Sequence, residues 1–191
     1  MDDWPVATET GGPRVRVLLA VGLCAAIAIW FVALDPFAPG AAAQEAAVRS
    51  AILTDMTIVA LPSNASPGHI DAVTLAALHR RIDEVLPSVF TGSLLDLKRD
   101  RLSTYLDAVA ASEGQGANRE AGIDGLTIRT RQVSGTHAAV TGTYSAWLTG
   151  EHWDNGRLTT DRVSSTYSFS AGLDLVGGRW LVSSWADQQL D

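Results

Sequence analysis

A long apolar run near the N-terminus limits what this chain can fold into more than any other feature. The 18 residues from Val17 to Leu34 contain no charged side chain and a single glycine. At about 1.5 Å of rise per residue, a helix of this length just crosses a hydrocarbon layer of roughly 30 Å. A helix of a small soluble domain normally carries a polar face, and this run has none. It therefore predicts a transmembrane helix, which with its flanks covers residues 14–36.

Cleavage of this run as a signal peptide is the main alternative to a permanent anchor. Residues Ala41 to Ala43 match the small-x-small pattern of a cleavage site. Signal peptides have a shorter apolar region, of roughly 7 to 15 residues, whereas Trp30 and Phe31 continue the apolar run here. The pattern favours an anchor, and a secreted domain released after Ala43 remains the alternative.

The flanking charges indicate an orientation for the predicted span. Arg14 and Arg16 directly precede it, while the first charges after it are Asp35 and Glu45. Because basic residues favour the cytoplasmic side, residues 1–13 are expected to form a cytoplasmic tail. The sequence thus predicts a single-pass protein of the cell membrane with residues 37–191 outside the cytoplasm.

The charge balance and the missing motifs exclude several classes of function. The whole chain has a net charge of −7, and from residue 36 onward 12 basic side chains stand against 17 acidic ones. No basic stripe is present to attract a phosphate backbone, so a nucleic-acid partner is not expected. The sequence also lacks H-E-x-x-H, C-x-x-C, G-x-S-x-G and a phosphate-binding glycine loop. It predicts neither a cofactor nor a metal site.

The first half of the external part has helical periodicity, over 41–112. An Ala-rich run over 41–61 predicts one helix, and residues 62–68 predict a loop. A second helix is expected to start near Ser66 and to end at Pro87, and a third to begin at Ser93. Lys98 alternates with acidic residues on the third helix and is expected on a solvated face.

The second half changes to a period of two. Residues 113–125 are rich in glycine and predict a linker, and apolar residues alternate with polar ones over 126–188. Gly177-Gly178 predicts a tight hairpin, and the polar stretch 150–161 predicts a loop between strands. The expected fold is α+β, with about three helices packed on one face of a curved four-stranded antiparallel sheet.

The stretches HAAVTGTYSAWLTG and STYSFSAGLDLVGGRWLVSSW, preceded by about three helices, resemble the NTF2-like (cystatin-like, cone-shaped) superfamily over residues 41–188. With the N-terminal span, the chain is similar to membrane-anchored branches of it. These are the Mce-associated membrane proteins, the inner-membrane scaffold subunits of type IV secretion and conjugation machines, and lumen-facing domains of plastid-division proteins. The resemblance implies a non-catalytic scaffold or protein-binding module of a cell-envelope assembly for transport or secretion, with protein partners and a possible homo-oligomer.

Three tryptophans are candidates for partner binding. Trp147 and Trp185 lie out of phase with the apolar positions of their strands, so both are expected on the face opposite the core. Tryptophan with one exposed side is typical of interface anchors. Trp153 lies in the expected loop, where it favours a contact surface. The alternative is that another segment of the chain covers this face of the sheet.

A second set of residues is compatible with chemistry in the cone-shaped cavity of this fold. His152 and Asp154 lie close together in the expected loop, and Asp124 and Asp187 are the acids expected near the open end of the sheet. Tyr144 or Tyr167 could be the partner of such an acid, although strand parity places both among apolar neighbours and favours a packing role. The alternative function is therefore a small-molecule-binding protein or an enzyme. An acid with a polar partner in the cavity favours this alternative, and a closed apolar cavity favours the scaffold.

Overall fold

A computed structural model of the protein describes residues 40–111 and 116–190. The helices are α1 (Ala41–Thr57), α2 (Ala72–Val85) and α3 (Gly92–Ala111), with a short 3-10 turn at Leu86–Ser88. The strands are β1 (Ala117–Ser134), β2 (His137–Asp154), β3 (Arg157–Val176) and β4 (Arg179–Gln189). The expected span at 14–36 lies outside the described residues. Among the residues that are described, no helix has the length and apolar character needed to cross a membrane.

The four strands form one antiparallel sheet in the order β1-β2-β3-β4. The hairpin of β2 and β3 pairs along its whole length, from His137 opposite Asp174 to Asp154 opposite Arg157. Strand β4 is shorter and pairs only with residues 167–176 of β3. The predicted α+β fold with a four-stranded antiparallel sheet is confirmed.

The helices pack against one face of the sheet, here called the inner face. Strand residues of this face are almost fully buried together with residues of all three helices; among them are Ile52, Ile82, Leu106, Val140, Phe169, Leu173 and Val182. Backbone hydrogen bonds between Val182 and the segment 89–91 fix the start of α3 to β4. The opposite, outer face carries the partly or fully exposed residues of the same strands.

The second helix begins later than the sequence pattern predicts. The start expected near Ser66 is wrong, because Gly68 has a φ of 73° and interrupts any helical path there. Asp71 caps the helix instead, with its side chain accepting a hydrogen bond of 2.8 Å from the Thr74 amide. The end near Pro87 is confirmed, since α2 stops at Val85.

Most of the expected linker at 113–125 is strand. Strand β1 begins at Ala117, which pairs with Glu151. The period of two fails as a signal here because β1 has register shifts at residues 119, 124 and 129, and each shift moves the following side chains to the other face. The residues at these three bulges are Arg119, Asp124 and Arg129.

The loop expected at 150–161 is also wrong. Strands β2 and β3 continue through it and are joined by a two-residue turn at Asn155-Gly156. These residues have φ values of 49° and 77°, which a tight antiparallel hairpin requires. The predicted hairpin at Gly177-Gly178 is confirmed, with φ values of 57° and 79°.

Candidate functional site

A cavity of about 430 Å³ lies between the helices and the inner face of the sheet. Its wall combines aromatic rings with a few polar groups, contributed by Ala51, Ile52, Asp55, Met56, Phe90, Lys98, Asn118, Tyr144, Ala146, Leu148, Val163, Ser165, Tyr167, Trp185, Asp187 and Gln189. The cavity therefore has an amphipathic lining.

Tyr144 and Asp187 form a hydrogen-bonded pair in this cavity. The tyrosine hydroxyl donates to a carboxylate oxygen of Asp187 at 2.7 Å. The pKa of Tyr144 lies far above its usual range; burial of the hydroxyl is the larger cause, and this hydrogen bond is the second. Tyr144 is therefore a fixed hydrogen-bond donor and not a base. The sequence left open whether the cavity contains an acid with a polar partner. The structure contains such a pair, in which Asp187 is the acid and Tyr144 is the partner.

A second polar pair lines the same cavity. The Lys98 ammonium lies 2.6 Å from a carboxylate oxygen of Asp55, and 5.7 Å from the centre of the Phe90 ring. The prediction that Lys98 lies on a solvated helix face is wrong, because only 11% of its side chain is exposed. No local pattern signals this pair, since its members are 43 residues apart on α1 and α3.

Trp185 lies on the inner face, and the prediction that it points outward is wrong. Gly172 pairs with Ser184 and Leu173 with Val182, so Ser183 is an extra residue in β4. This bulge reverses the parity, and Trp185 joins the inner face together with Val182. The Trp185 ring stacks on Phe169 with centroids 5.2 Å apart and planes 4° apart.

Trp147 lies on the outer face, as predicted. Its ring covers Gly122, where a Cβ atom would come within 2.6 Å of the indole nitrogen. The Arg162 guanidinium carbon lies 4.0 Å from the centre of the Trp147 ring, in cation–π geometry. Trp147 is thus half-buried, with the rest of its ring on the outer face. Its role as a partner anchor stays a prediction.

Trp153 contacts the loop between α1 and α2 of its own chain. Its indole nitrogen donates to the Pro67 carbonyl at 3.1 Å, and its ring centre lies 5.8 Å from that of His69. The neighbouring Glu151 pairs with Arg119, which also donates to carbonyl groups of residues 61–65. These contacts attach the segment between α1 and α2 to the start of β1 and the end of β2.

The remaining candidates do not line the cavity. His152 Nε2 lies 3.0 Å from the Thr159 hydroxyl, and its Nδ1 lies 3.6 Å from a carboxylate oxygen of Asp161. Asp154 is exposed beside the turn, and Asp124 is exposed in a bulge of β1. His152 lies opposite Thr159 near the turn, whereas Asp187 lies opposite Phe169, ten residues further along β3. Among the described residues, no group of three or more His, Cys, Asp or Glu side chains could hold a metal ion.

Comparison with known proteins places the fold. No family model and no curated protein matches the chain. The intermembrane space region of the chloroplast protein ARC6 has a similar structure, with a TM-score of 0.51 and 17% identity over 77% of this chain and 96% of that one. CagV, a VirB8 homolog of the type IV secretion system of Helicobacter pylori, gives a TM-score of 0.42 at 11% identity over 77% of this chain and 100% of that one. A putative calcium/calmodulin-dependent protein kinase II association domain from Xanthomonas campestris gives 0.32 at 14% identity, over 66% and 92%. The likeness to the intermembrane space region of ARC6 shows a shared α+β fold.

Proposed function

We propose that this chain is a membrane-anchored scaffold or protein-binding module of a cell-envelope assembly. In this proposal residues 14–36 anchor the chain, residues 1–13 lie in the cytoplasm, and the NTF2-like domain binds protein partners outside without catalysing a reaction. The domain shares its fold with the intermembrane space region of ARC6. This likeness supports a location outside the compartment in which the N-terminal tail lies.

The observation that carries the proposal is the position of Trp147 on the outer face. The helices lie against the inner face, and Trp147 stands on the other side, stacked with Arg162. Tryptophan and arginine are among the residues most enriched in the side chains that dominate binding energy at protein interfaces. Short Ser and Thr side chains surround them on β2 and β3, so a partner can approach the ring closely.

The test compares two substitutions in cells that depend on the chain. Trp147→Ala should weaken crosslinking to the partner by about 2 kcal/mol if the ring is a hot spot, and complementation should fall with it. Asp187→Asn removes the cavity acid and should leave both readouts unchanged. Loss of complementation in Asp187→Asn, with crosslinking and folding intact, would overturn the scaffold proposal.

The topology is tested separately. A reporter that is active only outside the cytoplasm, fused after Asp191, should be active, and the mature chain should keep its original N-terminus. A mature chain that starts at Gln44 would instead show a secreted domain.

A second candidate function rests on the Tyr144–Asp187 pair. A cavity lined by aromatic rings, with a few polar groups that include a hydrogen-bonded carboxylate, has the mixed lining typical of small-molecule sites. If the cavity binds a small molecule, Asp187→Asn should abolish that binding while partner capture persists.

A further inference from the structure

One side of the sheet ends in an unpaired strand edge. Strand β2 pairs with β3 along its whole length, whereas β4 pairs with β3 only from Tyr167 onward. The last backbone hydrogen bond along this line, of 2.9 Å, runs from the Leu190 amide to the Thr166 carbonyl. Within the described residues, no strand lies beside residues 157–165 on the side away from β2.

The register identifies which backbone groups face this edge. The Leu175 amide donates to the Thr136 carbonyl, so odd-numbered residues of β3 direct their backbone groups toward β2. Even-numbered residues direct theirs away, as Thr166 does toward Leu190. The amide and carbonyl groups of Leu158, Thr160, Arg162 and Ser164 therefore point along the open edge.

The two edges of the sheet differ in how they are protected. Strand β1 forms the other edge, and it has three bulges, each with a charged residue at positions 119, 124 and 129. Bulges and charges are the usual means of preventing a further strand from pairing. The β3 edge has neither a bulge nor a proline between residues 157 and 166, and its charged residues there are Arg157, Asp161 and Arg162. Its backbone is therefore a regular template, and its charges select which strand can pair with it.

The side chains along the edge indicate the chemistry of an added strand. Val163 is 62% exposed and belongs to the rim of the inner cavity. On the outer face, Arg162 stacks on Trp147 and forms no ion pair with a described residue. An added strand would place alternate side chains on these two faces, one beside Val163 and the next beside Arg162.

We infer that residues 157–164 of β3 bind an extended segment of a partner protein, which adds to the sheet in line with β4. The segment carries an acidic side chain that faces Arg162 and an apolar side chain that faces Val163 at the cavity mouth. Main-chain pairing supplies affinity and the alternating side chains supply specificity, as in other strand-addition complexes. The inference rests on the proposed function, since it names how the protein partner binds.

The test uses the full chain in detergent micelles and a synthetic probe. The probe is a capped peptide of about eight residues, a common strand length, in which valine alternates with glutamate. A control peptide has lysine in place of glutamate. Binding of the acidic probe should slow hydrogen exchange at the amides of Thr160, Arg162 and Ser164, and the lysine peptide should bind more weakly.

Two pairs of variants separate the contribution of the backbone amide from that of the Arg162 charge. Thr160→Pro removes one edge amide and should weaken probe binding roughly tenfold, which corresponds to about 1.4 kcal/mol for one lost hydrogen bond, whereas Thr160→Ala keeps the amide and should bind normally. Arg162→Glu should reverse the preference so that the lysine peptide binds better, and Arg162→Gln should abolish the preference. Equal binding of both peptides to the unaltered chain and to Arg162→Glu would overturn the inference, as would exchange that the probe does not slow.

Photo-crosslinking in cells separates failure of this inference from failure of the proposed function. A crosslinker at Thr160 reports on the edge, and one at Ser170, which is exposed on the outer face, reports on the wider surface. Crosslinks to a partner from Ser170 without any from Thr160 would overturn the edge inference alone. Absence of both would overturn both proposals. Crosslinks from Thr160 to a second copy of the chain, abolished in Thr160→Pro, would replace the partner segment with a homodimer and so contradict the inference.

Discussion

Truncation of Trp185 should destabilise the domain far more than truncation of Trp147, although the sequence pattern assigns both to the outer face. Trp185 stacks on Phe169 at 5.2 Å and is tilted against Tyr144 at 6.2 Å. Removal of a fully buried aromatic side chain costs about 3–5 kcal/mol. Since Trp185 is half-buried and borders a cavity, we expect Trp185→Ala to cost about 2–3 kcal/mol.

The matched substitution Trp147→Ala removes a ring that covers Gly122 and stacks with Arg162 at 4.0 Å. An exposed cation–π contact contributes about 0.5–1 kcal/mol, so we expect a loss of about 1 kcal/mol. At about 2–4 °C per kcal/mol for a chain of this size, the melting temperature should fall by roughly 4–12 °C in Trp185→Ala and by roughly 2–4 °C in Trp147→Ala.

The assay is thermal unfolding of the full chain in detergent micelles, followed by near-ultraviolet circular dichroism. Trp185→Phe serves as a control, because it keeps a ring against Phe169 and should lie between Trp185→Ala and the unaltered chain. Equal losses in the two alanine variants, or a larger loss in Trp147→Ala, would refute the assignment of Trp185 to the inner face.

Three further substitutions test the fold and the cavity. Gly142→Ala would direct a Cβ atom into the Thr127 carbonyl oxygen and to 2.8 Å from a ring carbon of Phe169, so the midpoint of urea unfolding should fall by the equivalent of about 1–3 kcal/mol. An unchanged midpoint would contradict the close packing of β1 on β2. Gly178→Val should lower the melting temperature, because a β-branched residue at a φ of 79° is strained by roughly 1 kcal/mol or more; an unaltered curve would count against this turn. The pKa of Tyr144 is raised in the folded chain, whereas in the unfolded chain it is about 10. Below about pH 10 both states hold the tyrosine proton, and the full stability is present. Above about pH 10 the unfolded state binds fewer protons than the folded state, so the free energy of unfolding should decline by up to about 1.4 kcal/mol per pH unit. Tyr144→Phe should remove this part of the decline, and an identical alkaline slope in both proteins would contradict the buried hydroxyl.

Local chemistry made part of the fold predictable. The change of period between the two halves predicts helices followed by strands, and two consecutive glycines predict the turn at 177–178. The turn at 155–156 was predictable on the same grounds, since Asn-Gly is a strong hairpin signal. The polar residues on either side of this turn obscure the signal, because they also fit a loop.

The cavity was less predictable because it depends on register and on distant contacts. One extra residue at Ser183 reverses the parity of the residues after it, and no sequence signal marks such a bulge. Tyr144 and Asp187 meet across 43 positions of the chain. Strand alternation correctly predicted the outward position of Trp147, since β2 has no register shift against β3.

Photo-crosslinking from the two faces of the domain tests the central claim most directly. A crosslinker at Ser170 lies on the outer face of the sheet, and one at Leu97, which is 59% exposed, lies on α3 on the helical side. In cells, the account predicts crosslinks to a protein partner from Ser170 that weaken in Trp147→Ala, and none from Leu97. Partner crosslinks from Leu97 alone, unaffected by Trp147→Ala, would contradict it.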